Sequence, residues 1–471
     1  MIALGSCQGQ TIAVFGLARS GLATVRAVIA GGGRVVAWDD NAEKRHAAKV
    51  CGADIAPFEA WDWGRIRSLA LSPGVPLTHP VPHPVVVRAG EAGVEVIGDV
   101  ELFMREIARL PDPPRVIAIT GTNGKSTTTA LTAHLLKTAG FAVEMGGNIG
   151  RPVLDLEPPP ATKVYVLEIS SYQIDLTPGL APNVAVLLNI TPDHIDRHGS
   201  LKGYAAVKRR IFKKLGRKGT AVIGVDDALT AEICTAISSN GVGRVVPISV
   251  GKALDRGVPV IDGLLFDCST VPCTEVMDLK RCRALPGAHN WQNAAAAFAA
   301  AHALTNDIAA LERGLLSFPG LPHRMEDVGK IGPITCINDS KATNADAAAR
   351  ALACYKRIYW IAGGVPKEGG IESLEPFFSR ISRAYLIGEA APMFARTLDG
   401  KVDFVRTGDM NTALEAAACD AIAAGDTDAV ILLSPACASF DQFRDYEDRG
   451  DQFRASVARL RAKMDNGHVV A

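Results

Sequence analysis

The chain has 471 residues, 48% of them hydrophobic, enough to bury cores for about two to four domains. Its 50 basic and 50 acidic residues balance, which argues against a broad nucleic-acid or polyanion surface. The 10 cysteines are scattered without CxxC or zinc spacing, and no apolar run is long enough to span a membrane. Free thiols in a reducing cytoplasm are therefore expected, with no membrane or nucleic-acid partner. The apolar start is interrupted at Gly16, Arg19 and Gly21 and lacks a basic lead, so no signal peptide is expected.

The first domain is placed at residues 1–112. Residues 11–15 read as a strand, Gly16-Leu-Ala-Arg-Ser-Gly21 as a turn, and the following Ala/Val-rich stretch as a helix to Ala30. A second strand at 34–38 ends at Asp39 and Asp40. This is a Rossmann-like βαβ start, with an acid roughly twenty residues past the first glycine. Ala18 stands where a dinucleotide site has its middle glycine, so a nucleotide diphosphate other than NAD is the better fit. A turn with no ligand is the plainer alternative. Residues 69–71 read as a strand running into Ser72-Pro-Gly74, a position where open α/β sheets place ligands. Pro111, Pro113 and Pro114 form a stiff linker.

The central domain is placed at 113–321. Its strand at 115–120 meets Gly121-Thr122-Asn123-Gly124-Lys125-Ser126-Thr127 and then a helical leucine pattern. That is the layout of a phosphate-binding loop, although Ile119 stands where the general motif has its first glycine. Glycines let backbone N–H groups converge on phosphate, Lys125 can reach the terminal phosphates, and Ser126 offers a hydroxyl to Mg²⁺. Glu168 ends a strand; alone it reads as a helix cap, but with Lys125 and Ser126 upstream it suits a nucleotide-bound metal better. A further strand from 184 leads into Thr191-Pro-Asp-His194-Ile-Asp196, a position for chemistry or an ordinary surface turn. Lys208, on a basic helix over 204–212, reads by itself as a solvated lysine. Asn290 and Asn293 stand near the start of an alanine-rich helix at 294–303, where N-capping is the plain reading.

The third domain is placed at 322–471, after a proline-rich hinge at 317–324. Strands at 336–338, 358–362, 383–387 and 429–433 alternate with helical stretches, as in a doubly wound parallel sheet. The acid- and arginine-rich tail at 439–453 reads as a solvated amphipathic helix or as part of a site.

Taken together, 121–126 GTNGKS, 168–171 EISS, 193–196 DHID, 204–208 YAAVK, 289–293 HNWQN and 320–324 GLPHR stand in one order. That series closely resembles the Mur ligases, ATP-dependent amino-acid ligases of peptidoglycan synthesis. In that family the phosphate loop lacks the first glycine, in keeping with Ile119. The segments 338–344 NDSKATN and 433–443 LSPACASFDQF are similar to those of its D-glutamate-adding members. The resemblance covers nearly the whole chain and is weakest across 216–285.

The resemblance implies an α/β protein of three domains: Rossmann-like, central P-loop-type ATPase, and Rossmann-like again. It implies a cytoplasmic monomer, serving cell-wall biogenesis and through it cell shape and division. The substrates would be UDP-N-acetylmuramoyl-L-alanine and D-glutamate, with ATP and two Mg²⁺. Leu17, Ala18, Arg19, Asp39, Ser72, Gly74 and Asn148 would hold the UDP precursor. Residues 121–127, Asn290, Asn293, Arg324 and Asp339 would hold ATP. Ser126, Glu168, His194 and Lys208 would hold metal, the lysine as a carbamate, and Lys125, His194 and Lys208 would serve catalysis. Lys341, Thr343, Lys367, Ser439 and Tyr446 would position D-glutamate. The family commonly has an acid where Val365 stands, and Phe where Tyr446 stands. The competing classes are an NAD-dependent oxidoreductase, a P-loop ATPase acting on a partner, and a Mur ligase for another amino acid.

Overall fold

The computed structural model describes every residue except 160–162, 240, 242, 368 and 466–471. The chain forms two compact units, one of Met1–Cys282 with Asn290–Phe318, the other of Arg283–His289 with Pro319–Ala471.

The first unit contains two sheets. The smaller has five parallel strands: β1 (Thr11–Phe15), β2 (Arg34–Trp38), β3 (Asp54–Ile55), β4 (Ile66–Leu71) and β5 (Glu95–Ile97), in the order β3-β2-β1-β4-β5. Chain order reverses between β1 and β4, so a crevice opens at their carboxyl ends. The turn after β1 and the Ser72–Gly74 loop after β4 lie there. Gly16 has φ 89°, and a Cβ on it would stand 2.5 Å from Ser72 Cβ, so only glycine lets these two loops meet.

The larger sheet has nine strands. They are β6 (Arg115–Thr120), β7 (Val143–Gly147), β8 (Val164–Glu168), β9 (Val184–Leu187), β10 (Thr220–Gly224), β11 (Arg244–Val250), β12 (Val258–Ile261), β13 (Leu264–Asp267) and β14 (Thr274–Asp278). Their order is β14-β13-β12-β11-β10-β9-β6-β8-β7, parallel except for the β12–β13 and β13–β14 pairs. The core strands β6, β8 and β9 are near-continuous apolar runs, as burial on both faces requires. Direction along the sheet reverses at β6, the strand that feeds the phosphate loop.

Both sheets contribute to one apolar core, in which Ile2, Val100 and Phe103 join Val153, Leu154 and Tyr165. The Phe103 and Tyr165 rings meet edge-on at 5.1 Å. Across the 111–114 linker, Ile2 N–H donates to Leu154 O at 2.8 Å, and Gly179 N–H to the buried Glu101 carboxylate at 2.6 Å.

The second unit holds β15 (Glu326–Ile331), β16 (Ile334–Asn338), β17 (Ile358–Gly363), β18 (Ile381–Ile387), β19 (Phe404–Gly408) and β20 (Val430–Leu433), in the order β15-β16-β20-β17-β18-β19. Only the β15–β16 pair is antiparallel. Asn338 and Ile361 both register with Leu433, so the loops after β16, β17 and β20 leave the sheet side by side. The tail helix is Tyr446–Asp465, and it is more than a solvated face. Arg449, Phe453, Val457 and Leu460 are buried.

The alanine-rich helix starts earlier than its composition indicates, at Ala288–His302. The expectation of free thiols throughout is corrected at one pair, since Cys268 and Cys273 form a disulfide beside the β13–β14 hairpin.

Candidate active site

The phosphate loop is built by what surrounds it. Gly121–Gly124 separates β6 from the helix Lys125–Thr138, whose N-cap Gly124 has φ 83° and no side-chain cap. Gly124 has no side chain to cap the helix, and a helix N-terminus is a ready anion site. Asn123 N–H donates to Asn189 Oδ1 at 2.9 Å, and Thr122 N–H to Asn189 O at 2.9 Å. Lys125 Nζ donates to Gly121 O at 2.9 Å and Thr122 O at 2.8 Å, folded back over the loop it would serve. Ser126 and Thr127 are buried in the first turn.

Asn290 and Asn293 are not caps. Both lie inside the helix and are buried, with Asn293 Nδ2 donating to Asn290 Oδ1 at 3.1 Å and Asn293 Oδ1 accepting from Thr128 Oγ1 at 3.2 Å. A Cβ on Gly124 would stand 2.1 Å from Asn293 Oδ1, so this helix presses directly on the phosphate loop.

Glu168 stands opposite Ile119 in the β6–β8 register, beside the strand end that feeds the loop. Its capping reading fails, because the next helix is capped by Ser170 and Gln173 in a reciprocal capping box. Glu168 is 2% exposed, and its Oε1 accepts from Asn148 Nδ2 at 2.6 Å. Its Oε2 is buried and, among the described residues, has no hydrogen-bond partner. A carboxylate oxygen left without a partner in an interior is costly, and a cation is the usual remedy.

Lys208 is not solvated. It is 1% exposed, with Nζ donating to Gly121 O at 2.9 Å and Thr120 Oγ1 at 3.3 Å, and lying 4.6 Å from the Tyr204 ring centroid. Burial first, and then the nearby Lys125 charge, hold its pKa well below the ordinary lysine value, against the opposing pull of Asp193 and Glu168. The shift favours the neutral amine, the form that is a nucleophile.

His194 is exposed, with φ 52°, at the start of the short helix Ile195–His198. Its Nε2 lies 3.4 Å from Asp193 Oδ2 and its ring 5.0 Å from Tyr172. Sequence reasoning passed over His198, which is buried, stacks on Tyr172 at 5.5 Å, and places Nε2 2.9 Å from Ser171 Oγ. Among the described residues no group of three His, Cys, Asp or Glu side chains forms a metal cluster. A cation would satisfy the bare Glu168 Oε2. Lys208 itself could ligate a cation only as an anion, since its amine lies against backbone and hydroxyl oxygens.

In the first turn, Leu17 N–H donates to Asp39 Oδ2 at 2.7 Å, Asn41 N–H donates to Oδ1 at 2.9 Å, and Lys44 lies 3.7 Å away. Asp39 thus braces the turn. Ala18 and Arg19 open the helix Arg19–Ala30, which has no side-chain cap and no acid in its first turn. Asn148 reaches Glu168 rather than this turn.

In the second unit, Asp339 follows β16 and is buried. Its Oδ2 accepts from Ser434 Oγ at 2.8 Å and its Oδ1 from Met325 N–H at 3.2 Å. Burial raises its pKa to about 7. Arg324 Nε is buried without a partner among the described residues. Lys341 Nζ lies 5.3 Å from the Tyr446 ring centroid, and Thr343 N–H donates to Lys341 O at 2.9 Å. Ser439 is buried, and Val365 bridges to its neighbour Ala438. Lys367 is exposed.

Arg449, 0% exposed, ties these loops together, with Nε to Ser340 Oγ at 2.9 Å and Nη2 to Ser340 O at 2.8 Å and Cys437 O at 3.1 Å. Its Nη1 has no partner among the described residues. In sequence it is one arginine among several on an amphipathic helix, and no spacing signal marks it.

Residues 119–301 match the Mur ligase middle domain. The chain is 55% identical, over 98% of both chains, to the UDP-N-acetylmuramoylalanine–D-glutamate ligase of Caulobacter sp. (strain K31). It is 53% identical, again over 98% of each, to the enzyme of that name from Nitrobacter winogradskyi. Its fold is similar to that of the UDP-N-acetylmuramate-alanine ligase MurC of Thermotoga maritima, with a TM-score of 0.56 at 18% identity, covering 97% of this chain and 99% of that one. With such relatives across nearly its whole length, the chain belongs to the UDP-N-acetylmuramoylalanine–D-glutamate ligase family of Mur ligases.

Proposed function

We propose that the protein joins D-glutamate to UDP-N-acetylmuramoyl-L-alanine at the expense of ATP, in the cytoplasm, as a step of peptidoglycan precursor synthesis. Specificity for D-glutamate is supported by identity to the named relatives over 98% of the chain. The chemistry is supported above all by the buried Lys208 amine against the phosphate loop, together with the unpartnered Glu168 oxygen.

A carboxylate resists attack because its leaving group would be oxide. The L-alanine carboxylate therefore takes the γ-phosphoryl group of ATP, releasing ADP and giving an acyl phosphate. The loop amides and Lys125 cradle the phosphates, and Asn290, Asn293, Arg324 and Asp339 are assigned to ATP. Mg²⁺ at Ser126 and Glu168 would neutralise charge gathering on the transferring group. A second, at His194, needs Lys208 as its carbamate, which forms when the neutral amine takes up CO₂ and releases a proton.

The D-glutamate amine then attacks the acyl carbon, phosphate leaves, and an amide remains. The amine must first give up a proton, and His194 is the candidate acceptor. A neutral imidazole has one lone pair, which serves a metal or a proton but not both at once. Leu17, Ala18, Arg19, Asp39, Ser72, Gly74 and Asn148 are assigned to the precursor, and Lys341, Thr343, Lys367, Ser439 and Tyr446 to D-glutamate. The working division is 1–112, 113–321 and 322–471, in a monomer.

The test is phosphate release from Mg-ATP and UDP-N-acetylmuramoyl-L-alanine with D-glutamate, L-glutamate, L-alanine or a diamino acid in turn. Release that requires D-glutamate, with a new amide by mass, is expected. Release with another amino acid moves the enzyme along the pathway, and release needing neither substrate makes it an ATPase.

A further inference from the structure

One side chain joins the loop after β4 to the helix that carries His194. Arg197 Nη1 donates to Gly74 O at 3.0 Å, and Nη2 donates to Val75 O at 3.0 Å and Pro73 O at 3.4 Å. Its guanidinium carbon lies 4.6 Å from the Tyr172 ring centroid. The same ring stands 5.0 Å from His194 and 5.5 Å from His198. The next turn closes on the same loop region, since a Cβ on Gly199 would lie 2.8 Å from His79 Nε2.

Three successive carbonyls that converge on one point repel one another unless a donor with several N–H groups sits among them. A planar guanidinium meets that geometry, and a lysine ammonium, a point charge on a flexible stem, does not. The loop is anchored at its other side, with Ser72 N–H donating to Phe15 O at 2.9 Å and Val75 N–H to Ser72 O at 3.0 Å. Arg197 ties the carbonyls of residues 73–75 to the His194 helix from the other side. A ligand held at the loop and reacting near His194 depends on that distance, because small misplacements of a reacting group are expensive.

We infer that Arg197 is a positioning residue for the nucleoside-diphosphate-linked substrate, locking the 72–75 loop in register with His194 through its three carbonyl contacts and Tyr172. The inference rests on the assignment of that loop to the precursor.

The test compares Arg197→Ala, Arg197→Lys and Gly74→Val in full kinetics. Gly74 has nothing within 4 Å of where a Cβ would go, so a valine there starts in open space and would crowd a ligand at the loop. Both Arg197 variants should raise the precursor KM at least about tenfold while leaving the ATP KM within about twofold. Lysine should fail to rescue, and added guanidinium should restore part of the loss to Arg197→Ala. Arg197→Lys keeps charge and bulk, so it carries the test if the alanine variant melts early. A precursor KM within about twofold of the parent in a folded Arg197→Lys protein overturns the inference. If Gly74→Val also leaves that KM unchanged, the loop assignment itself falls; if Gly74→Val raises it, only the role of Arg197 does.

Discussion

Lys208 and Asp99 show how far a residue's surroundings override its type. Lys208 is buried against the phosphate loop, and burial holds its pKa well below the ordinary lysine value. Lys208→Ala should cut kcat by about 10²- to 10³-fold, the scale of losing one preorganised electrostatic group. A short carboxylate such as formate should restore part of it, because the proposed carbamate is an anion. A fully active Lys208→Ala protein would return the lysine to a structural role.

Asp99 is buried beside β5, with Oδ2 unpartnered among the described residues, and burial raises its pKa to about 6. A raised carboxylate pKa means that the folded state holds a proton the unfolded chain has released. Its contribution is complete below the unfolded value near 3.8 and is lost as pH rises to about 6. The loss amounts to about 3 kcal/mol. Urea melts of Asp99→Asn should lack that slope, and an identical slope in the variant would show the proton sits elsewhere. Neither residue was legible in the sequence. A 3.6-residue period marks a helix face but does not say which lysine in YAAVKRRIF turns inward.

At the scale of elements, the phosphate loop was readable because its chemistry is local. Strand, glycines, lysine and helix follow one another in sequence, and they fold as β6, a turn and Lys125–Thr138. The Asn290–Asn293 contact was not, since it depends on a helix from far down the chain pressing on Gly124. That contact makes a prediction. Gly124→Ala adds a strained left-handed residue, costing about 1–2 kcal/mol, and drives a methyl into Asn293. Its ATP KM should rise at least about tenfold. Gly140 has nearly the same φ, 85°, but nothing within 4 Å of its Cβ position. Gly140→Ala should therefore lose stability and keep the parent ATP KM. Equal ATP KM values for the two variants would show that backbone strain alone, and not Asn293, governs the loop.

At the scale of the whole molecule, the proline-rich stretches at 111–114 and 317–324 differ in what they separate. The first lies within a compact unit whose two sheets share apolar residues, and the second is where a new unit begins. Composition marks a stiff linker in both places, but it does not reveal whether apolar surface continues across it. Residues 319–471 carry their own cores on both faces of their sheet. Expressed alone they should melt cooperatively. Residues 1–112 alone would bare Val100, Phe103 and Ile2, and should not. Cooperative melting of the 1–112 fragment would show that the shared core is dispensable.

The claim that binds these scales together is that the phosphate loop, Glu168 and Lys208 transfer a phosphoryl group to a carboxylate. The most direct measurement uses precursor labelled with ¹⁸O in its L-alanine carboxylate, with Mg-ATP and D-glutamate. An acyl phosphate sends one carboxylate oxygen out on phosphate, so each inorganic phosphate released should carry one ¹⁸O and the amide should keep the other. Unlabelled phosphate, or label in AMP, would contradict the account.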